Sequence, residues 1–202
     1  MPVDPDALLI AILTITVFAS LCAALFLVVL SLRRPRTAPL AAAVALVTAA
    51  LLVVLVVPSN VPTIAGLILA LLAIALAVIG GNPLTRRVLE VATHGRIDET
   101  SDGGIRVAIA DSDAETDRGG DVEGTRVLMR GGRMIGYLER LGVVVAIAAG
   151  FPEALAVVVA VKGIGRFSEL ATADARERFI IGTLASLVWA CLLGGLIRLA
   201  IW

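Results

Sequence analysis

The sequence predicts an all-α integral membrane protein with four long transmembrane helices and a two-armed hairpin of shorter helices. Composition is the first reason. Of the 202 residues, 59% are hydrophobic and 17% are charged, whereas soluble domains average ~45–50% apolar and ~25% charged residues. The second reason is that several apolar runs approach the ~20 residues that a helix needs to cross the hydrocarbon core of a bilayer.

Three apolar runs in the N-terminal part of the chain are predicted to be spanning helices. They cover residues 7–32, 38–57 and 63–79. The sequence Gly-Gly-Asn-Pro at 80–83 is expected to stop the third run, because glycine and proline both interrupt helices. Residues 1–81 are therefore predicted to form a three-helix membrane region.

A long polar segment, 82–133, follows and is predicted to be a cytoplasmic insert. Residues 84–93 carry the apolar and charged stripes of a short amphipathic helix. Residues 105–109 and 125–129 alternate apolar and polar side chains, which favours a small β-hairpin with the acidic stretch 111–124 at its tip.

Residues 134–202 are predicted to form the C-terminal membrane region, with a helical hairpin at 134–169 and a last span at 177–202. The two arms of the hairpin are joined at 150–153, and Pro152 is expected at the first position of the second arm. Each arm of ~16 residues is ~24 Å long, which is shorter than a ~30 Å hydrocarbon core. Either both arms cross a thinned bilayer, or they enter and return on one side as a re-entrant loop.

Arginine placement predicts the orientation, because basic residues concentrate in the cytoplasmic loops of membrane proteins. Arginines follow the first span at 33–36 and the third at 86–87, and more of them occupy 82–133. This pattern places both termini outside and 82–133 in the cytoplasm, and only Arg198 among the arginines falls on the external side. The formal net charge is zero, so the overall charge predicts no nucleic-acid partner.

Charged residues at the cytoplasmic ends of the hairpin and of the last span form the candidate site. One interpretation is that they are interfacial side chains whose salt bridges orient the hairpin. The other is a pocket for an anionic headgroup or phosphate, with cationic donors oriented by carboxylates. The candidate lipid- or anion-binding residues are Lys162, Arg166, Arg178 and Arg140, with Glu139 and Glu177 as the acids.

Glu153, in the connection between the two arms, is a second candidate. If the arms are re-entrant, its carboxylate lies deep in the membrane and is a candidate proton or cation site. If the arms cross, it is an external carboxylate at the start of a helix, where the helix dipole favours a negative charge.

No metal or cofactor site is predicted. Cys22 and Cys191 lie in apolar runs without CxxC or zinc-type spacing, and His94 is the only histidine. Acidic residues alternate at 111–117 as in a calcium loop, but the sixth position is Thr116 instead of glycine. The sequence also contains no catalytic motif of a known hydrolase, nucleotide-binding enzyme or metalloprotease.

Three functional hypotheses follow. The leading one is a non-enzymatic membrane protein whose charged cluster binds anionic lipid or a protein partner. The second is a small oligomeric transporter or channel that uses the 134–169 hairpin as a discontinuous element. The third is a lipid-modifying enzyme with Glu139 or Glu177 as its base. Membrane lipids are the expected partners, together with a second copy of the chain or another membrane protein.

Three segments near the C-terminus carry a family resemblance: GGRMIGYLER at 131–140, AVKGIGRF at 160–167 and ERFIIGTLAS at 177–186. They resemble uncharacterised polytopic membrane proteins of high-GC Gram-positive bacteria, and also a wider bacterial family with the pattern IG-x-LER, AKS-x-x-RF and GT-x-x-S. A serine commonly follows the lysine in that family, whereas this chain has Gly163. The resemblance implies a bacterial plasma-membrane location and assigns no reaction.

Overall fold

The computed structural model describes residues 5–32, 36–57, 61–92, 106–108, 125–127, 132–165 and 172–201. Within these ranges the helices are α1 (Pro5–Ser31), α2 (Thr37–Val56), α3 (Thr63–Ala92), α4 (Gly132–Ala148), α5 (Ala154–Gly165) and α6 (Ala173–Ile201). Two short strands, β1 (Arg106–Ala108) and β2 (Thr125–Val127), pair antiparallel and lie within the two segments predicted to alternate.

Four of the described helices are long and apolar enough to cross a membrane, namely α1, α2, α3 and most of α6. Their outer faces carry large apolar side chains: Ile64 is 79% exposed and Ile15 is 66% exposed. Such a surface matches the hydrocarbon of a bilayer far better than it matches water. The predicted fold class, with four long spans and a two-armed hairpin, is confirmed.

Helix α6 packs against α2, α3 and α4 and so organises the helical bundle. It runs antiparallel to α3, because Ile201 lies against Gly66 near the start of α3 and Trp189 lies against Gly80 further along. The Trp189 side chain is 1% exposed, and its indole N–H donates a hydrogen bond of 3.3 Å to the carbonyl oxygen of Leu76. The N–H of a buried tryptophan usually has such a partner, and here the hydrogen bond joins α6 to α3.

The bundle has two chemically different ends. At the end called here the basic end, Arg87 in α3 donates a hydrogen bond of 2.8 Å to Thr37 at the start of α2. Arg176 and Arg178, in the first turns of α6, lie at this same end because α6 and α3 are antiparallel. At the opposite end, the N–H of Val61 donates to the carbonyl oxygen of Ala200 over 3.0 Å. Arg87, Arg176 and Arg178 thus lie at one end of the bundle, whereas Arg198 near the end of α6 lies at the other.

The expected stop of the third helix at 80–83 is wrong, because α3 continues without interruption to Ala92 with Pro83 inside it. The predicted amphipathic helix at 84–93 is therefore the last part of α3. Proline removes one helical hydrogen bond, which membrane helices tolerate when neighbouring helices pack around the site. The glycines allow α6 to pack closely on α3, because a Cβ atom on Gly80 would lie 3.1 Å from Cζ2 of Trp189.

The hairpin consists of α4 and α5, and its connection begins with a well-formed helix end. Gly150 has a φ of +81°, a conformation that favours glycine. Its N–H donates to the Ile147 carbonyl and the N–H of Phe151 donates to the Ala146 carbonyl, which is the double hydrogen bond of a Schellman motif. The expectation that Pro152 is the first residue of the second arm is wrong, because α5 begins two residues later, at Ala154.

The connection between the arms lies beside the last turns of α6. A Cβ atom on Gly150 would lie 3.2 Å from Cζ of Arg198, and one on Gly194 would lie 3.0 Å from Cβ of Ile147. Helix α4 therefore runs parallel to α6 and reaches the end opposite the basic end. Helix α5 returns along α4 and has no fully buried residue. Helix α6 begins at Ala173, four residues before the predicted start of the last span at 177, and its membrane-length part begins at Ala175.

Candidate functional site: a buried polar layer

Arg140 is an almost fully buried cation between three helices. Its residue is 2% exposed although it lies in the middle of α4. One guanidinium nitrogen, Nη1, donates to Oγ of Ser186 in α6 over 3.1 Å. The other, Nη2, donates to Oδ1 of Asn82 in α3 over 2.8 Å. The guanidinium therefore bridges α3 and α6 from α4.

Two glycines make room for this side chain. Long helical side chains lean toward the N-terminus of their own helix, and Gly136 lies one turn before Arg140, with its Cβ position 3.4 Å from Nη1. On the opposing helix, a Cβ atom on Gly81 would overlap Cδ and Nε of Arg140 and would lie 2.6 Å from Cζ. The Tyr137 ring lies beside the guanidinium, with its centroid 5.5 Å from Cζ. A cation over an aromatic face is a favourable contact.

Glu139 and Lys162 form a second, partly buried feature, an ion pair between the two arms of the hairpin. Lys162 Nζ lies 2.5 Å from Glu139 Oε2, and the side chains of the lysine and the glutamate are 16% and 10% exposed. Nζ also lies 5.9 Å from the centroid of the Phe179 ring in α6. The pair satisfies the charge of Lys162, which is the one basic residue within α5.

Two threonines complete the group. Thr85 lies one turn after Asn82 in α3, and Thr183 lies one turn before Ser186 in α6. Because α3 and α6 are antiparallel, both threonines are displaced in the same direction, toward the basic end. We call this set the buried polar layer, and its members are Asn82, Thr85, Glu139, Arg140, Lys162, Thr183 and Ser186.

The layer lies just inside the arginines of the basic end. Asn82 precedes Arg86 by four residues, or ~6 Å along the helix, and Ser186 follows Arg178 by eight residues, or ~12 Å.

The charges of the layer do not cancel. It holds two cations, Arg140 and Lys162, and one carboxylate, Glu139, which is hydrogen-bonded to Lys162. The hydrogen-bond partners of Arg140 within the described ranges are the neutral groups of Asn82 and Ser186. Arginine does not lose its proton in proteins, so the layer carries one excess positive charge in a region of low polarity. Burying an uncompensated charge is unfavourable, and an anion would remove that cost.

The structure brings some of the predicted site residues together and separates others. Glu139 and Lys162 pair directly, and Arg140 lies next to them but faces α3 and α6. Glu177 is exposed and Arg178 is half-buried in the first turns of α6, and the Glu139–Lys162 pair forms without them. Arg166 lies outside the described residues, as do His94 and the acidic stretch 111–124.

Glu153 occupies the exposed connection between the arms, close in sequence to Gly150 and so at the end of the bundle opposite the basic end, where Arg198 also lies. This position is that of a loop carboxylate at the start of a helix. It favours arms that cross the membrane over arms that turn back within it, and it gives no support to Glu153 as an intramembrane carboxylate.

Sequence reasoning missed Asn82, Thr85, Thr183 and Ser186. Asn82 was interpreted as part of a helix stop. These four residues could have been found from the sequence, because polar side chains inside apolar runs are rare and commonly face the interior of a bundle.

Comparisons with protein-family models, with curated proteins and with solved structures found no match to this chain. The resemblance of its C-terminal segments to bacterial membrane proteins therefore stays a prediction.

Proposed function

We propose that this protein is a multi-pass plasma-membrane protein that binds the anionic headgroup of a phospholipid in the buried polar layer. The single observation that carries the proposal is the buried guanidinium of Arg140, which is 2% exposed and is hydrogen-bonded to neutral groups, in a layer that holds two cations and one carboxylate. A phosphate supplies the missing negative charge and accepts charge-assisted hydrogen bonds from a guanidinium.

The position of the layer supports a lipid as the source of this phosphate. The layer lies within about two helical turns of Arg86 and Arg178, and juxtamembrane arginines attract anionic lipids to the cytoplasmic leaflet. We also propose that the basic end faces the cytoplasm, because basic residues concentrate on the cytoplasmic side of membrane proteins. Both termini are then outside.

Binding of lipid by purified protein tests the proposal. The protein is extracted with mixed phosphatidylglycerol and phosphatidylcholine, and the retained lipid is quantified by native mass spectrometry. The wild-type protein should retain phosphatidylglycerol in preference to phosphatidylcholine. Arg140→Gln should lower this retention about tenfold or more, since hydrogen bonds to charged groups contribute ~1.5–3 kcal/mol.

Arg176→Gln is the matched control. It removes one positive charge at the same end of the bundle, but Arg176 is exposed and lies outside the layer, so retention should stay as in the wild type. Equal losses in both variants would reduce the effect to surface attraction and overturn the proposal. A wild type that retains no lipid but captures a membrane protein through Arg140 would assign the layer to a protein partner instead.

A further inference from the structure

Helix α5 presents one stripe of exposed apolar side chains to the surroundings of the bundle. Val157, Val161 and Ile164 are 64%, 65% and 79% exposed, and their spacing of four and three residues puts them on one side of the helix. We call this stripe the α5 face. It meets lipid or another protein in a membrane, and the charged residues at its two ends favour lipid.

The α5 face is short because charged residues bound it at both ends. Glu153 is exposed and lies directly before α5, and Lys162 lies nine residues later, in the last turn. The Cα atoms of these two residues are therefore ~13.5 Å apart along the helix, and all of α5, Ala154–Gly165, is ~18 Å long. The hydrocarbon core of a typical bilayer is ~30 Å thick, so the α5 face is about half as tall as the bilayer around it.

The two helices nearest to α5 show the same short spacing between polar levels. In α4, Glu139 precedes Gly150 by eleven residues, or ~16.5 Å, and Gly150 lies beside the guanidinium of Arg198. In α6, Ser186 precedes Arg198 by twelve residues, or ~18 Å. Three neighbouring helices thus place polar groups at two levels that are only ~13–18 Å apart.

Helices α1 and α2, in contrast, have the full height of a bilayer. Helix α1 is ~40 Å long and carries no charged residue after Asp6. Its Thr14 and Ser20 hydroxyls donate to carbonyl oxygens one turn earlier, so they need no water. Helix α2 is ~30 Å long and carries no charged residue. The mismatch with an ordinary bilayer is therefore confined to the side of the bundle that the hairpin covers.

The Lys162 side chain does not relieve this mismatch. A lysine near the end of a membrane helix commonly extends its ammonium to the nearest interface. The ammonium of Lys162 is instead held 2.5 Å from Glu139 Oε2 and 5.9 Å from the centroid of the Phe179 ring. The side chains of the pair are still 16% and 10% exposed. The bilayer must therefore adapt to the pair.

We infer that the α5 face fits a locally thinned bilayer, and that its lipid partners are phospholipids with short acyl chains. A bilayer adapts to a short apolar surface by thinning beside it. Thinning brings the headgroups of one leaflet to the Glu139–Lys162 pair and those of the other leaflet to Glu153, so that neither charged group borders hydrocarbon. This inference concerns acyl chains and does not depend on the proposed headgroup site.

Amide hydrogen exchange of the wild-type protein in bilayers of three thicknesses tests the inference. The protein is placed in nanodiscs of dimyristoleoyl-, dioleoyl- or dierucoylphosphatidylcholine, which differ in chain length and share one headgroup. Exchange in α5 should be slowest in the thinnest bilayer and about tenfold faster in the thickest, because each ångström of mismatch costs free energy. Exchange in α1 is the internal reference and should stay constant. Equal exchange of α5 in all three bilayers, or an equal rise in α1, would overturn the inference.

Two variants test whether the charges set the height of the α5 face. Glu139→Leu with Lys162→Met removes the polar level at the basic end, so exchange in α5 should become nearly independent of chain length. Arg176→Gln removes a charge from an exposed residue outside the α5 face and should keep the wild-type dependence. A double variant that also kept this dependence would contradict the role given to the ion pair and overturn the inference.

Cross-linking tests the other occupant of the α5 face, a second copy of the chain. Val157→Cys is introduced in a background without Cys22 and Cys191, and the protein is treated with a bifunctional maleimide in dioleoylphosphatidylcholine. The protein should remain a monomer, because lipid covers the position. Efficient cross-linking of two chains through this cysteine would assign the α5 face to a protein contact and overturn the inference.

Discussion

Arg140 crosses the face of α3 at Gly81, where a single methyl group would occupy the same space as its side chain. We therefore expect Gly81→Ala to expel the guanidinium from its contacts with Asn82 and Ser186. Overpacking a buried site costs ~1–3 kcal/mol, and the lost hydrogen bonds add to this cost. Thermal unfolding in detergent should show a clear loss of stability.

Gly142→Ala is the control for that substitution. Gly142 is also a helical glycine, but nothing lies within 4 Å of its Cβ position. Alanine is the better helix former by ~1 kcal/mol, so this variant should be as stable as the wild type or more so. A Gly81→Ala protein that matched Gly142→Ala would show that Arg140 does not need the space.

The Glu139–Lys162 pair should hold α5 onto α4. Lys162→Met leaves the Glu139 carboxylate, with 10% of its side chain exposed, without its cation. Removing one partner of a buried pair costs ~3–5 kcal/mol. Amide hydrogen exchange should therefore rise in α5 more than in α6, because α5 packs chiefly against α4.

The double variant Glu139→Leu with Lys162→Met removes both charges, and exchange in α5 should return toward the wild-type level. A double variant as labile as Lys162→Met alone would mean that α5 is held by apolar packing and not by the ion pair.

Trp189 should be an internal reporter of the α3–α6 contact. The chain contains two tryptophans, so Trp202→Phe leaves Trp189 as the sole indole emitter. Since Trp189 is 1% exposed and packs on Gly80, its emission should be blue-shifted and resistant to aqueous quenchers. Gly80→Ala, whose Cβ would lie 3.1 Å from the indole, should shift the emission to the red. An emission that is already red-shifted and quenched in the Trp202→Phe protein would contradict the packing.

Thiol labelling should place the two ends of the bundle on opposite sides of the membrane. In a background without Cys22 and Cys191, an impermeant maleimide should label Arg176→Cys from the cytoplasmic side only. It should label Glu153→Cys from the external side only, because the hairpin connection lies beside Arg198 at the opposite end. Labelling of both positions from one side would mean that the hairpin is re-entrant.

Much of the fold follows from local sequence. An apolar run of sufficient length predicts a spanning helix wherever it occurs, because transfer of apolar side chains into hydrocarbon is nearly additive along the run. The four long helices, the short hairpin arms and the concentration of arginine at one end all follow from this kind of signal. Helix ends were less well predicted. Gly80 and Gly81 led to the prediction of a helix end, but in the folded chain they lie inside α3 and leave space for the side chains of Trp189 and Arg140.

The site could be predicted only in part. Glu139, Arg140 and Lys162 stand out as charges beside apolar runs, but the sequence does not say which of them pair. Arg140 meets partners 58 and 46 residues away, and Lys162 meets Glu139 across 23 residues. Those pairings depend on how each helix is rotated and on where helices cross, which are properties of side-chain packing between helices.

Hydropathy and charge in the sequence alone therefore determined that the chain is a bundle of membrane-length helices with one basic end. Only the tertiary structure decided that Lys162 is neutralised and that Arg140 is buried with neutral partners. The physical reason is that partition into a membrane is a sum over residues, whereas the compensation of a buried charge depends on the few atoms that the fold brings within hydrogen-bond distance.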